Sequence, residues 1–266
     1  MKTRIISSLI LFPIILLAIY LGGFWLRAFM FLVSIVGMRE LYKSFDSEHY
    51  VLNALSYVAL LFYYALIGNP ANDGLFVMIF GMFIVFNLIL FTIYYETISP
   101  QDVLVNIFGF FYIGVLLANV YLVQNLEYGA FFVWFIFISA WACDTLAYFS
   151  GMFFGRRKLA PTLSPKKTIE GAIGGTLGAA VVSGAFGHLI SAHVTTDVNL
   201  AVIGVILGFV GAIFAQFGDL SASAIKRHLN IKDYSNLIPG HGGILDRFDS
   251  VIFTAPLVYF VVQALL

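Results

Sequence analysis

The sequence is poor in charge. Only 11% of its 266 residues are Asp, Glu, Lys or Arg, whereas a soluble domain carries roughly 25%. Hydrophobic residues make up 61% of the chain, and they occur in runs near the ~20 residues that a helix needs to cross a bilayer. The short alternating segments of a membrane β-barrel are missing. The composition therefore predicts an all-α polytopic integral membrane protein.

Cysteine is also scarce, and several motifs are absent. The single Cys143 excludes an internal disulfide and a cysteine-based metal cluster. The sequence has no Gly-x-Ser-x-Gly and no His-Glu-x-x-His, so acyl transfer and zinc hydrolysis have no support. Lys and Arg number 14, as do Asp and Glu, so the net charge is zero. We expect no nucleic-acid partner, and the positions of the charges matter more than their sum.

The apolar runs predict about nine transmembrane helices in a single domain over residues 1–266. Residues 1–128 are expected to be mainly scaffold spans. Residues 129–266 supply spans and two polar loops, 153–170 and 220–247, and are expected to carry the working part. The predicted spans are 5–22, 24–44, 51–68, 75–95, 103–123, 129–152, 171–191, 199–219 and 248–266.

The basic residues predict the orientation of these spans. With the N-terminus in the cytoplasm and nine alternating spans, all of the 14 Lys and Arg residues except Arg27 fall on the cytoplasmic side. We therefore expect a protein of the inner, cytoplasmic membrane with its polar cavity and active site facing the cytoplasm.

Asp144 lies inside the sixth predicted span. A carboxylate in the hydrocarbon region is costly and suggests a functional role. The alternative is a hydrogen bond between helices or a protonated buried acid. We favour function because the loop that follows this span is strongly basic.

That loop contains two basic groups. Arg156 to Lys158 are interpreted as an anchor at the end of a span. In the second group, Ser164 is expected to cap a helix that starts at Pro165, which would place Lys166 and Lys167 at an anion-binding helix N-terminus. Glu170 would share a face with Lys167. The alternative is a solvated run of charge.

Four glycines follow at three- and four-residue spacing: Gly171, Gly174, Gly175 and Gly178. A phosphate-binding loop is one interpretation. Close packing of helices through small residues is the one we favour.

The most polar stretch of the chain runs from Ser221 to Asp249. If the eighth span continues as a helix, Asp219, Ser223 and Lys226 or Arg227 share one face. Asp246 and Asp249 share a face at the start of the last span, and carboxylates at two helix ends suit a hard cation such as Mg²⁺. The alternative is salt bridging of these acids with Lys226, Arg227 and Arg247. His241 lies among glycines, as expected of a loop close to a ligand.

These residues together resemble a known family. The pattern Ser223-x-x-Lys226-Arg227, Lys232-Asp233 and Pro239-x-His241-Gly242-Gly243-x-x-Asp246-Arg247-x-Asp249 is similar to that of the phosphatidate cytidylyltransferase (CDP-diacylglycerol synthase) family. The Ser164-Pro165-Lys166-Lys167-Thr168-x-Glu170-Gly171 stretch matches as well. The resemblance covers residues 139–250, while the first half matches only as a scaffold of spans.

The resemblance implies Mg²⁺-dependent transfer of CMP from CTP to phosphatidic acid, with room for a second cation. The expected metal ligands are Asp219, Asp246 and Asp144. The remaining roles are distributed as follows: Lys226, Arg227, Asp249 and His241 join Asp219 and Asp246 as catalytic residues, and Lys166, Lys167, Glu170, Ser223, Lys232, Asp233 and Arg247 bind substrate.

Three other functions stay open at this point. An ion-coupled transporter would show polar residues at the membrane midplane, whereas these charges gather at one face. A CDP-alcohol phosphotransferase would show Asp-Gly-x-x-Ala-Arg, which is absent. A non-catalytic lipid-binding scaffold leaves the paired carboxylates unexplained. The oligomeric state is also open, with a homodimer among the options.

Overall fold

The structure is a computed structural model that describes the backbone of residues 2–265 and their side chains except at positions 2–8, 10, 70 and 73. The side chains of Lys2 and Arg4, two of the basic residues that predict the orientation, lie outside the described residues. Within it, the chain is built mainly of helices, so the prediction of an all-α membrane protein is confirmed in its main feature.

The helices follow the predicted apolar segments closely. The ten α-helices of the described part of the chain are α1 (Lys2–Leu21), α2 (Gly23–Ser44), α3 (Tyr50–Leu66), α4 (Asp73–Ile93), α5 (Pro100–Gly109), α6 (Leu116–Gln124), α7 (Gly129–Phe154), α8 (Ile169–Ile190), α9 (Leu200–His228) and α10 (Leu245–Leu265). A short 3₁₀ turn, Pro70–Asn72, precedes α4, and a π-helical segment, Phe110–Val115, joins α5 to α6.

Six helical segments are long and apolar enough to cross a membrane, counted over the described residues. They are Gly74–Ile93, Pro100–Gln124, Gly129–Phe154, Ile169–Ile190, Leu200–His228 and Leu245–Leu265. Leu11–Leu21 and Tyr50–Leu66 are apolar but shorter. Helix α2 is long, but Arg27, Arg39, Glu40 and Lys43 interrupt its apolar character.

Several helix starts are explained by local sequence. Ser99 forms a capping box with Asp102 at the start of α5, where Pro100 occupies a position that needs no N–H donor. The Asn199 side chain accepts N–H bonds from Ala201 and Val202 at the start of α9. Each cap satisfies backbone donors that the helix itself leaves unpaired.

The residues up to Leu122, together with Asp233–Arg247, form one compact unit. Its interior contains a buried polar network as well as apolar packing. The Tyr42 hydroxyl donates to the Asn106 carbonyl at 3.0 Å, and the Ser56 hydroxyl donates to the Asn106 side chain at 2.7 Å. These bonds tie α2, α3 and α5 together where unpaired polar groups would be costly.

Residues Val123–Lys232 and Phe248 onward form the second compact unit. Its centre is the packing of α7, α8 and α9, and α10 adds to it from Phe248. Helices α7 and α9 approach closely: the Ser139 hydroxyl donates to the Leu207 carbonyl at 3.3 Å, and the Cys143 thiol donates to the Ala212 carbonyl at 3.7 Å. Small residues at these crossings permit the approach.

Candidate functional site

The glycines of α8 bring this helix against α7. A Cβ atom added to Gly175 would lie 2.7 Å from the Cys143 carbonyl oxygen, and one added to Gly171 would lie 2.8 Å from the Ala147 carbonyl oxygen. Backbone cannot yield to such contacts, so the prediction of close helix packing is confirmed. This packing sets the start of α8 beside the turn of α7 that follows Asp144.

The segment before α8 differs from the prediction. Ser164–Thr168 is a β-strand, β2, that pairs antiparallel with Lys158–Ala160, the strand β1. Ser164 therefore does not cap a helix, and the prediction that Lys166 and Lys167 lie at a helix N-terminus was wrong. Pairing with β1 holds the segment in an extended conformation.

Thr168 is the residue that caps α8. Its hydroxyl oxygen accepts the N–H of Gly171 at 3.1 Å. A Cβ atom at Gly151 would lie 2.8 Å from this same oxygen, so a glycine on α7 makes room for the cap. The cap joins the β1–β2 hairpin to α7 and α8 and fixes the position of β2, the strand that carries Lys166 and Lys167.

A cavity of about 340 Å³ lies between this strand and helices α7, α8 and α9. Its charged groups come from Asp144, Lys166 and Lys167, Gln216 adds an amide, and most of the remaining wall is apolar. The full lining is Asp144, Ala147, Tyr148, Gly151, Met152, Leu159, Lys166, Lys167, Thr168, Gly171, Ala172 and Gln216. The structure thus brings Asp144 and the two predicted phosphate-binding lysines to one cavity.

Lys167 forms an ion pair with Asp219 of α9. The Ser223 hydroxyl, one turn further along α9, donates to the other Asp219 oxygen at 3.3 Å. Helix α9 continues to His228, so Asp219, Ser223 and Lys226 share one helix face, as predicted. Continuation of the helix also shows that the predicted loop 220–247 is helical over its first part.

Asp249 joins this group from α10. Gly218 lets α9 approach α10 closely, since a Cβ atom there would lie 3.1 Å from the Ser250 Cα. The charges of Asp219, Lys226 and Asp144 all act on the Asp249 carboxylate. We refer to Asp144, Lys167, Asp219, Lys226 and Asp249 as the charged cluster; it combines three acids with two cations in the second unit.

The other unit holds the glycine-rich loop 233–247. Here the Asp246 carboxylate is buried and accepts the N–H groups of Tyr234 at 2.9 Å and Gly243 at 3.0 Å. Gly240 and Gly242 have φ angles of 80° and 81°, which favour glycine and turn the loop around the half-buried His241. Asp246 therefore shapes this loop, and its role as a metal ligand stays a prediction.

Glu40 is a residue that the sequence analysis missed. Its carboxylate, buried in α2, accepts the Ser235 hydroxyl at 2.6 Å and the N–H groups of Ile244 at 3.0 Å and Leu245 at 2.8 Å. It thus holds both ends of the glycine-rich loop and the start of α10. The available signal was an acid inside the predicted span 24–44, next to Arg39.

The remaining candidate residues are exposed or form hydrogen bonds with backbone groups. The Glu170 carboxylate accepts the N–H groups of Arg156 at 3.0 Å and Arg157 at 3.2 Å, and so fastens the turn before β1. The Arg227 guanidinium donates to the Ile231 carbonyl at 2.9 Å, just beyond the end of α9. Lys232, Asp233 and Arg247 are exposed. Substrate binding by these residues stays a prediction.

The carboxylates of this site suit a cation that takes most of its other ligands from water and substrate. Among the side chains that the structure describes, no group of three or more His, Cys, Asp or Glu residues lies close enough to hold a metal ion. Mg²⁺ is commonly bound by one or two carboxylates together with water and substrate phosphates. Asp219 is partly buried and faces a cation, the Lys167 ammonium, so its environment fits such a site.

Comparison with known proteins extends over the whole chain. The model of the cytidylyltransferase family matches residues 2–265. The phosphatidate cytidylyltransferase of Bacillus subtilis (strain 168) is 32% identical over 265 residues, which cover 98% of this chain and 97% of that protein. The phosphatidate cytidylyltransferase of Staphylococcus saprophyticus is 31% identical over 264 residues, 97% of each protein.

Proposed function

The chain belongs to the cytidylyltransferase family, and we propose that it transfers CMP from CTP to phosphatidic acid. The products are CDP-diacylglycerol, which stays in the membrane, and pyrophosphate. The observation that carries this assignment to particular residues is that Asp144, Lys166 and Lys167 line one largely apolar cavity, where Lys167 is also paired with Asp219.

The reaction makes one phosphorus–oxygen bond and breaks another. A phosphate oxygen of phosphatidic acid attacks the α-phosphorus of CTP, and the bond from that phosphorus to the oxygen of the β-phosphate breaks. The attacking oxygen is already an anion, so no strong general base is needed. The protein's task is to position two polyanions and to offset their charge.

The lysines are suited to that task. Lys167 and Lys226 supply positive charge within the charged cluster, and Lys166 adds to it at the cavity wall. Lys226 is only 8% exposed, which favours strong interaction with a bound phosphate because water screens it little. We propose that these lysines hold the phosphates of the two substrates.

A divalent cation fits the remaining acids. Asp219, supported by Asp144, would hold Mg²⁺ together with substrate phosphate oxygens. When bound, Mg²⁺ supplies Lewis-acid stabilisation of charge on the phosphates. Lys167 is the counter-ion of Asp219. Asp246 as a further ligand, and a second cation, remain predictions.

The proposal includes a topology. The six apolar helical segments support membrane insertion, and we propose that α1, α2 and α3 cross as well, giving nine spans with Pro100–Gln124 as one. The N-terminus, the hairpin and the charged cluster would then face the cytoplasm, where CTP is found, in the inner membrane. A homodimer stays a prediction, to be tested by the mass of the purified protein.

The decisive test uses purified protein in vesicles that contain phosphatidic acid. CTP labelled at the α-phosphate should transfer its label to a lipid, whereas label at the γ-phosphate should appear in pyrophosphate. EDTA should stop both, and added Mg²⁺ should restore them. Vesicles of phosphatidylcholine alone are the control. Consumption of CDP-diacylglycerol with an alcohol, without CMP transfer from CTP, would instead identify a CDP-alcohol phosphotransferase.

A further inference from the structure

A second cavity adjoins the one lined by Asp144, Lys166 and Lys167, which we call the charged cavity. This second cavity is almost entirely apolar. It has a volume of about 340 Å³ and lies between the first turns of α8 and the middle of α9. Its side walls include Ile173 and Leu177 from α8 and Phe209, Ile213 and Phe217 from α9. We call it the α8–α9 groove.

The groove and the charged cavity share part of their walls. Leu159, Ala172 and Gln216 line both. The Gln216 amide is fixed at this junction, because it donates to the Thr176 hydroxyl at 2.9 Å and to the Ala172 carbonyl at 3.3 Å. A molecule with a phosphate at one end and hydrocarbon at the other would find both environments on the two sides of this junction.

We propose that the α8–α9 groove holds an acyl chain of phosphatidic acid while the phosphate of the same lipid lies at Lys166 and Lys167. This inference rests on the proposed function, and it deepens it by naming the element that selects the lipid substrate by its hydrocarbon part.

The dimensions of the groove agree with one leaflet. From Phe209 to Leu220, the residues of α9 that limit the groove, the helix rises about 16 Å at 1.5 Å per residue. That is about half of the roughly 30 Å hydrocarbon core. A chain in this groove would therefore stay within the leaflet from which its phosphate enters the site.

The walls are open to the bilayer. Ile173, Leu177 and Phe217 are 56%, 55% and 60% exposed, so an acyl chain can enter sideways from the membrane. The competing occupant is an ordinary bilayer lipid that merely fills the furrow. The two differ in one respect: only the substrate chain is tied to a headgroup that binds the lysines.

The first experiment fills the groove. Leu177→Trp and Ile213→Trp should lower kcat/KM about tenfold for long-chain dioleoyl phosphatidic acid, since several methylenes lose their apolar contact. Activity on short-chain dihexanoyl phosphatidic acid should change less than about twofold, because its chains end near the junction. Phe replaces Trp at either position if the Trp variant does not fold.

Matched controls lie on the same helices outside the groove. Val181→Trp on α8 and Val202→Trp on α9 replace exposed apolar residues and should leave kcat/KM unchanged for both lipids. Equal losses on long and short chains, or unchanged long-chain activity in the groove variants, would overturn the proposal. No CMP transfer by the unaltered protein with either lipid would instead overturn the proposed function.

The second experiment separates substrate from bulk lipid. Phosphatidic acid with a photoactivatable diazirine on its acyl chain should label residues of the α8–α9 groove. Unlabelled phosphatidic acid should suppress this labelling, and phosphatidylcholine at the same concentration should not. Equal suppression by both lipids would identify the groove as a site for any bilayer lipid and would contradict the assignment.

Discussion

At the scale of single residues, the ion pair of Lys167 with Asp219 joins the strand β2 to α9 at the edge of the charged cavity. Both side chains are about a quarter exposed, at 24% and 28%, so water screens the pair and its contribution to stability is small. The pair is therefore better explained by what it does for charged ligands than by what it does for folding.

Asp219→Asn tests this explanation. We expect CMP transfer to fall at least ~100-fold, the usual cost of removing one preorganised electrostatic group from an active site. The melting temperature should change little, because the pair is screened. Asp197→Asn, an exposed acid in the loop before α9, is the matched control and should retain full activity. A variant at position 219 with normal turnover would remove Asp219 from the machinery.

Glu40→Gln tests the carboxylate that holds the glycine-rich loop. The amide keeps the shape of the side chain, but its NH₂ group would face N–H donors, at a cost of about 1–3 kcal/mol. We expect a lower melting temperature and faster thiol labelling of a cysteine placed at the exposed position Asn236. Glu48→Gln, at an exposed acid shortly after α2, should change neither. Unchanged labelling at position 236 would show that Glu40 does not restrain the loop.

Site residues were predicted correctly from the sequence where their arrangement depends on neighbouring positions in the chain. Helical periodicity was enough to place Asp219, Ser223 and Lys226 on one face of α9. Glu40 could not be found in this way, because its partners Ser235, Ile244 and Leu245 lie about 200 positions further along the chain. A contact of that separation leaves no periodic pattern in either segment.

At the scale of elements, the hairpin shows the same limit. Ser-Pro-Lys-Lys-Thr reads locally as a helix start, since Ser is a good cap and Pro suits the first helical position. The backbone instead pairs Lys158 with Thr168 and Ala160 with Ser164. Strand pairing depends on a partner segment. The three residues of β1 are too few to show the alternating pattern that would predict a strand there.

The glycine contacts between α7 and α8 allow a direct test of helix packing. Gly175→Leu should lower the free energy of unfolding by at least about 1–3 kcal/mol, because the new side chain meets the backbone of α7 at Cys143 and Ala147. CMP transfer should fall with it, since the same contact positions Asp144. Gly81→Leu on α4 is the control: outside the adjacent turns of its own helix, no described atom lies within 4 Å of its Cβ position, so stability should be unchanged.

At the scale of the whole molecule, nine helical segments within residues 2–265 follow the predicted spans, with α5 and α6 counted as one, and their direction across the membrane can be tested chemically. The geometry of α8 in the second compact unit allows a test of this direction. The hairpin and the loop 191–199 lie at opposite ends of α8, whose 22 residues give a length of about 33 Å. That length matches the roughly 30 Å hydrocarbon core, so the two ends should lie on opposite sides of the bilayer.

Cysteine labelling turns this geometry into a prediction of sidedness. Thr162→Cys in the hairpin and Thr195→Cys in the loop before α9 place thiols at exposed positions, while the native Cys143 is buried and gives little background. An impermeant thiol reagent added outside intact cells should label position 195 and leave position 162 unlabelled until the membrane is opened. All basic residues except Arg27 lie on the side of position 162 in the nine-span arrangement, which is the side that the positive-inside rule assigns to the cytoplasm. Labelling of position 162 alone from outside would show the opposite orientation, in which the charged cluster is separated from cytoplasmic CTP. Labelling of both positions from one side would contradict a membrane-spanning α8.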